Sequence, residues 1–129
     1  MELKTVGIYR EMYEGGLDHL PSVYESVAAQ HIPDREAVLK YLRKGPGVID
    51  VMEGTPHLFD EQRLIPGGPS LHSDGLWVWR VDSIEYLAQQ QLEIPTEFVE
   101  HVRAAGYEPP KSLDWTDEFD DAVMRYFRG

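Results

Sequence analysis

Four side chains near the middle of the chain have the chemistry of metal ligands or acid–base catalysts: His57, Asp60, His72 and Asp74. His57 and Asp60 are three residues apart, and His72 and Asp74 are two apart at the tip of an expected hairpin. A catalytic metal needs three converging ligands and a supporting shell. Nothing here has the specificity of a His-Glu-x-x-His helix. A small metal-dependent hydrolase using His57, His72 and nearby carboxylates is one reading of the set. Glu97 and His101, four apart, share one face of an expected helix and could share a metal or form an ordinary Glu–His contact. Ser70 and Ser73 lack the Gly-x-Ser-x-Gly elbow of a hydrolase nucleophile. Gly67-Gly68 lacks the Gly-Lys-Ser/Thr ending of a phosphate loop. No catalytic residue, metal ligand or cofactor is assigned on this basis.

A second group has the chemistry of recognition. Trp77 and Trp79 alternate along one expected strand and so share one face with His72. Two indoles on one face carry much apolar area and two ring N–H groups that need partners. They are either core packing under helices or an anchor for a partner. Further on, residues 93–121 hold nine acids against Arg103 and Lys111, a local net charge of −7. Glu97, Glu100, Asp114, Asp117, Glu118, Asp120 and Asp121 are the members offered as a binding surface. They read either as solvated helix faces or as a patch for a cationic protein.

Charge is the strongest compositional fact. Twelve Lys/Arg against twenty-three Asp/Glu give −11 over 129 residues. Nucleic-acid binding draws its affinity from neutralised phosphates, so such a field repels DNA and RNA. It repels anionic lipid for the same reason. A basic protein partner is favoured, because complementary charge raises the encounter rate. The absence of cysteine excludes disulfides, thiolate metal sites and thiol nucleophiles, and fits a reducing, cytoplasmic setting. No apolar run approaches the about 20 residues that span a bilayer. Met1 to Arg10 lacks the basic and apolar segments of a secretory signal.

The elements that must position these groups follow from periodicity. Residues 2–10 read as a strand, with Val6 and Ile8 alternating with Thr5 and Gly7, and Gly15-Gly16 break the chain after it. Residues 21–31 read as a helix with Leu20, Val23, Tyr24, Val27 and Ala28 in a stripe and Ser22 with Glu25 as a capping box. Residues 34–44 read as a helix capped by Asp34, with Val38, Leu39 and Leu42 inward and a left-handed Gly45 at its end. Residues 48–52 read as a strand and 53–70 as loop. In residues 70–80, Asp74-Gly75 suits a two-residue turn that sets His72 opposite Trp77 and Leu71 opposite Val78. Residues 82–91 read as a helix capped by Asp82 and Glu85, with Val81 stapled to Tyr86. Residues 95–105 read as a helix opened by Pro95 and closed by Gly106, with Phe98, Val99, Val102 and Ala105 inward. Residues 117–127 read as a helix with Thr116 or Asp114 as cap, Phe119, Ala122, Val123, Tyr126 and Phe127 inward, and Arg125 and Arg128 near its end. The class is α+β: about five helices on a small, mostly antiparallel sheet with a 70–80 hairpin, in one domain spanning 1–129.

The order of motifs in residues 34–102 carries a resemblance. It runs Tyr-Leu-Arg-Lys-Gly (41–45), Val-Met-Glu-Gly (51–54), Ile-Pro-Gly-Gly-Pro-Ser (65–70), Ser-Asp-Gly-Leu-Trp-Val-Trp-Arg-Val-Asp (73–82), Tyr-Leu (86–87) and Leu-Glu-Ile-Pro-Thr-Glu-Phe-Val-Glu-His-Val (92–102). This resembles a group of small, largely uncharacterised bacterial domains in which an Asp-Gly-x-Trp-x-Trp strand precedes a Tyr-bearing helix and a Pro-x-Glu-Phe helix. Some small acidic domains of this general kind are immunity proteins against secreted toxins, and the resemblance implies that role by analogy. The expected function is therefore a non-enzymatic acidic binding protein that docks on a basic partner. The rival readings are the small hydrolase and a structural subunit of a larger assembly.

Overall fold

The computed structural model describes residues 2–13, 19–27, 32–90 and 92–127. Among these residues the class is α+β, with four α-helices. The strands are β1 (Lys4–Thr5), β2 (Gly47–Ile49), β3 (Gly54–His57), β4 (Asp60–Pro66), β5 (Leu71–Ser73) and β6 (Trp77–Arg80). The helices are α1 (Arg35–Lys44), α2 (Val81–Gln89), α3 (Thr96–Ala104) and α4 (Asp117–Met124).

A sheet ordered β1-β6-β5-β2 carries the fold. β1 runs parallel to β6, and the other two pairings are antiparallel. The Trp-Val-Trp-Arg sequence of β6 is buried along its whole length. That requires cover on both faces of the sheet. Trp77 and Trp79 point into one core with Val38, Leu39 and Leu42 of α1, Leu87 of α2 and Phe98 and Val102 of α3. Leu71 and Val78 point the other way, into a second core with Leu3, Ile8 and Phe119, Ala122 and Val123 of α4. Helices α1, α2 and α3 thus pack on one face, and α4 on the other.

The β5–β6 hairpin does not turn at Asp74-Gly75: the Asp74 N–H donates to the Trp77 carbonyl at 3.3 Å, leaving Gly75 and Leu76 at the tip. The observed register pairs His72 with Trp79 and Ser73 with Val78. Its tip is built by side chains: Asp74 Oδ1 accepts the N–H groups of Leu76 at 3.0 Å and Trp77 at 2.8 Å. Ser73 Oγ accepts the Gly75 N–H at 3.0 Å and donates to the Trp77 carbonyl at 2.6 Å. Gly75 takes φ +98, which favours glycine. The register slips by two residues, an even number, so every side chain keeps the expected face.

Other elements depart from the sequence reading. In place of a helix over 21–31 there is a 3-10 turn over Val23–Glu25, and residues 28–31 lie outside the described residues, as do Gly15, Gly16 and Arg128. The Glu11 carboxylate takes the Val23 N–H at 2.7 Å and the Ser22 hydroxyl, and Val27 bridges to Leu92. Long-range partners have claimed the groups a helix would use, so among the described residues the count is four α-helices and not five. The expected loop over 53–70 contains the β3–β4 hairpin. Pro56 and Pro66 are tolerated there because a two-stranded ribbon has only edges. Asp34 holds the N-cap position of α1, but its side chain makes no cap hydrogen bond; its carboxylate accepts from Arg103 twice at 2.8 Å and from the Tyr107 hydroxyl at 2.7 Å, tying the start of α1 to the end of α3. Gly45 is extended (φ −60, ψ 147) and not left-handed. Arg80, not Asp82, holds the cap position of α2, and the Ser83 hydroxyl accepts the Arg80 N–H at 3.3 Å. α3 and α4 start and cap as expected: Gly106 ends α3 at φ +63, and Thr116 Oγ1 accepts the Phe119 N–H at 3.0 Å. Ala105 is exposed, outside the α3 stripe. None of the described helices is long and apolar enough to cross a membrane.

Candidate functional site

Trp77 and Trp79 are core residues. They are 4% and 0% exposed. The Trp79 indole N–H donates to the Leu42 carbonyl at 3.0 Å, and Trp77 meets Phe98 edge-on at 5.0 Å. Neither ring has the surface that a partner anchor requires, which corrects that part of the expected site. The exposed indole is Trp115, at 54%. It lies edge-on to Phe119 at 5.0 Å, just before the α4 cap. Sequence reasoning passed over it because it belongs to no helical or strand stripe; its position among Asp114, Thr116 and Asp117 was the available signal.

The acids of residues 93–121 do not form one surface, because α3 and α4 lie on opposite faces of the sheet. On α3, Glu97 pairs with Lys4, and Glu100 is exposed. Glu108, after α3, pairs with Lys44 at 3.3 Å. Asp114, Asp117, Glu118, Asp120 and Asp121 stand together on α4 and the segment leading into it. All five are exposed, and none makes an ion pair with a described residue. Beside them is an open cleft of about 420 Å³ whose walls include Leu76, Pro110, Leu113, Asp114 and Phe119. Leu76, at 60% exposure, gives it an apolar rim.

Asp74 also lines that cleft, and its side chain is buried, 1% exposed. While Oδ1 holds the hairpin tip, Oδ2 accepts the Tyr41 hydroxyl at 2.7 Å and sits 2.8 Å from His101 Nε2. One carboxylate therefore joins α1, α3 and the β5–β6 loop. Burial and the adjacent Asp74 carboxylate push the Tyr41 hydroxyl well above the ordinary phenol range. The His101 that the sequence pairs with Glu97 is instead held by a residue 27 positions earlier.

The remaining candidates disperse. His72 Nδ1 bonds to the Gly45 carbonyl at 2.8 Å, and its ring stacks on Trp79. His57 is buried; its Nδ1 accepts the Phe59 N–H at 3.0 Å, and its Nε2 has no hydrogen-bond partner among the described residues. Asp60 Oδ1 accepts the Gln62 N–H within its own turn. Among the described residues, no three His, Asp or Glu side chains are placed to hold a metal ion. The hydroxyls of Ser70 and Ser73 are committed to backbone groups. A pair the sequence reading missed is Arg80–Asp82, buried and bidentate at 2.9 and 2.8 Å. Burial pushes the Asp82 carboxyl up to about 6, against the opposing pull of Arg80. This pair lines a smaller cleft of about 210 Å³ with Glu11, Thr55 and Tyr86.

No protein family matches the chain, and neither curated proteins nor solved structures give a match.

Proposed function

We propose that this chain is an acidic binding protein that docks on a basic protein partner, with toxin neutralisation as the specific form of that role. The observation that carries this reading is the set of five exposed carboxylates from Asp114 to Asp121, unpaired with any described residue and set beside the exposed Trp115 and Leu76. Carboxylates that the protein does not neutralise itself are free to steer a cationic surface, and an indole beside them supplies apolar contact area. Glu97 and Glu100 belong to the other side of the sheet and are not part of this docking face.

The test is capture of partners from the native host at low and at high salt, with wild type and two variants. Wild type should retain a basic protein at low salt and release it at high salt. The variant Asp117→Asn, Glu118→Gln, Asp121→Asn should lose that protein, while Glu97→Gln, Glu100→Gln should keep it. Equal retention by both variants overturns the assignment of the face.

A further inference from the structure

We propose that His101 is an oriented imidazole able to act as nucleophile toward small neutral esters, with Asp74 and Tyr41 as its positioning residues. Asp74 accepts from two backbone N–H groups and from the Tyr41 hydroxyl. A carboxylate that only accepts forces the fourth contact to be a donor, so His101 Nε2 carries the proton. The lone pair of neutral His101 is then on Nδ1. No described residue bonds to Nδ1, and the buried side-chain polar atom left without a partner among the described residues is His57 Nε2. His101 Nδ1 thus carries no bond to a described residue, on a side chain 27% exposed. His57 and His72 differ in this respect, since the Nδ1 of each is engaged with backbone.

A buried carboxylate on one imidazole nitrogen and an open lone pair on the other is the arrangement that orients a histidine for proton or acyl transfer. The Nδ1 lone pair attacks the ester carbonyl carbon, and the bond to the leaving oxygen breaks, releasing an alkoxide or phenoxide. The acylimidazolium keeps its Nε2–H on Asp74, so its positive charge is met by a buried negative one. Water then attacks the acyl carbon, the C–N bond breaks, and the acid leaves with restored His101. Water supplies the hydroxyl of the acid and the proton of the alcohol, so the net step is hydrolysis. Neutral esters are favoured because the chain carries −11 overall, which repels anions.

The probe is 4-nitrophenyl acetate at neutral pH. Wild type should release nitrophenolate about tenfold or more faster than His101→Gln. Glutamine keeps an N–H donor for Asp74, so that variant preserves the buried contact. His19→Gln, at an exposed position, should match wild type. Equal rates for wild type and His101→Gln overturn the proposal. A second measurement needs no variant: wild type is treated with diethyl pyrocarbonate and mapped by mass spectrometry. His101 should be modified faster than the exposed His19; slower modification of His101 overturns the proposal.

Discussion

Gly45 lies directly against the Trp79 indole: a Cβ placed on it would stand 2.9 Å from Cη2 and closer still to Cζ2. Trp79 is fully buried, and its N–H is fixed on Leu42, so the ring cannot retreat. The glycine is required by space, because its backbone is extended and open to any residue. Gly45→Ala should therefore overpack the junction of α1 and the sheet and destabilise the chain by roughly 1–3 kcal/mol. The midpoint of urea denaturation, with an unchanged slope, is the measurement.

Asp74 holds together three elements that are distant in sequence. Asp74→Ala strands the Leu76 and Trp77 N–H groups, the Tyr41 hydroxyl and His101 Nε2 in one step. The expected loss is about 3 kcal/mol, in the range for hydrogen bonds to a charged group that leave buried donors unpaired. Tyr41→Phe removes one donor and leaves the carboxylate three, so it should cost about 1 kcal/mol. Chemical denaturation followed by tryptophan fluorescence reads both, and a Tyr41→Phe loss as large as that of Asp74→Ala would contradict this account.

Asp82 makes a pH prediction with a definite sign. Its folded carboxyl titrates at about 6, above the ordinary value of 3.8, because burial outweighs Arg80. Between those values the folded chain holds more protons than the unfolded one, so this group favours folding below about 4 and loses that contribution as pH rises to about 6. The full effect is roughly 3 kcal/mol. Asp34 acts in the opposite direction: Arg103 and Tyr107 hold its carboxyl well below the usual range, so its contribution is present above that range and lost in acid. Asp82→Asn holds the side chain neutral at every pH, so it removes this titration from the folding equilibrium. Its stability curve from pH 4 to pH 6, measured by denaturant titration at each pH, should lack the decline that Asp82 gives wild type.

Thr116 links the fold to the docking face. Its hydroxyl accepts the Phe119 N–H, and the first turn it caps carries Asp117, Glu118 and Asp120. Thr116→Ala should cost about 1 kcal/mol. Amide hydrogen exchange should show faster opening at the start of α4, with little change in α1. Uniform protection loss across all four helices would instead mean that α4 does not open as a separate unit.

All four α-helices among the described residues were legible in the sequence because their signals are local. α1, α3 and α4 each show an apolar stripe at helical spacing, and α3 and α4 also carry a readable stop or cap in Gly106 and Thr116. The two faces of β6 were legible as well, since alternation survives an even register slip. The stretch over 21–31 misled because Val23 and Val27 match a helical stripe, while Glu11 and Leu92, far off in sequence, supply partners that no local pattern contains. The β3–β4 hairpin was hidden by its prolines, which signal loop unless an open edge accepts them.

The composition and the acid-rich segments were set by the residues alone, and so was the presence of two tryptophans on one strand face. Whether those tryptophans faced water was decided by α1 and α3, which close over them and leave Trp115 outside. The carboxylates were separated in the same way: the chain passes from one face of the sheet to the other between α3 and α4, dividing acids that sequence places side by side. Only that packing brought Asp74 to His101. Hydrogen bonding depends on distance in space, and a gap of 27 positions is bridged by a turn, a helix and a shared core rather than by any local preference.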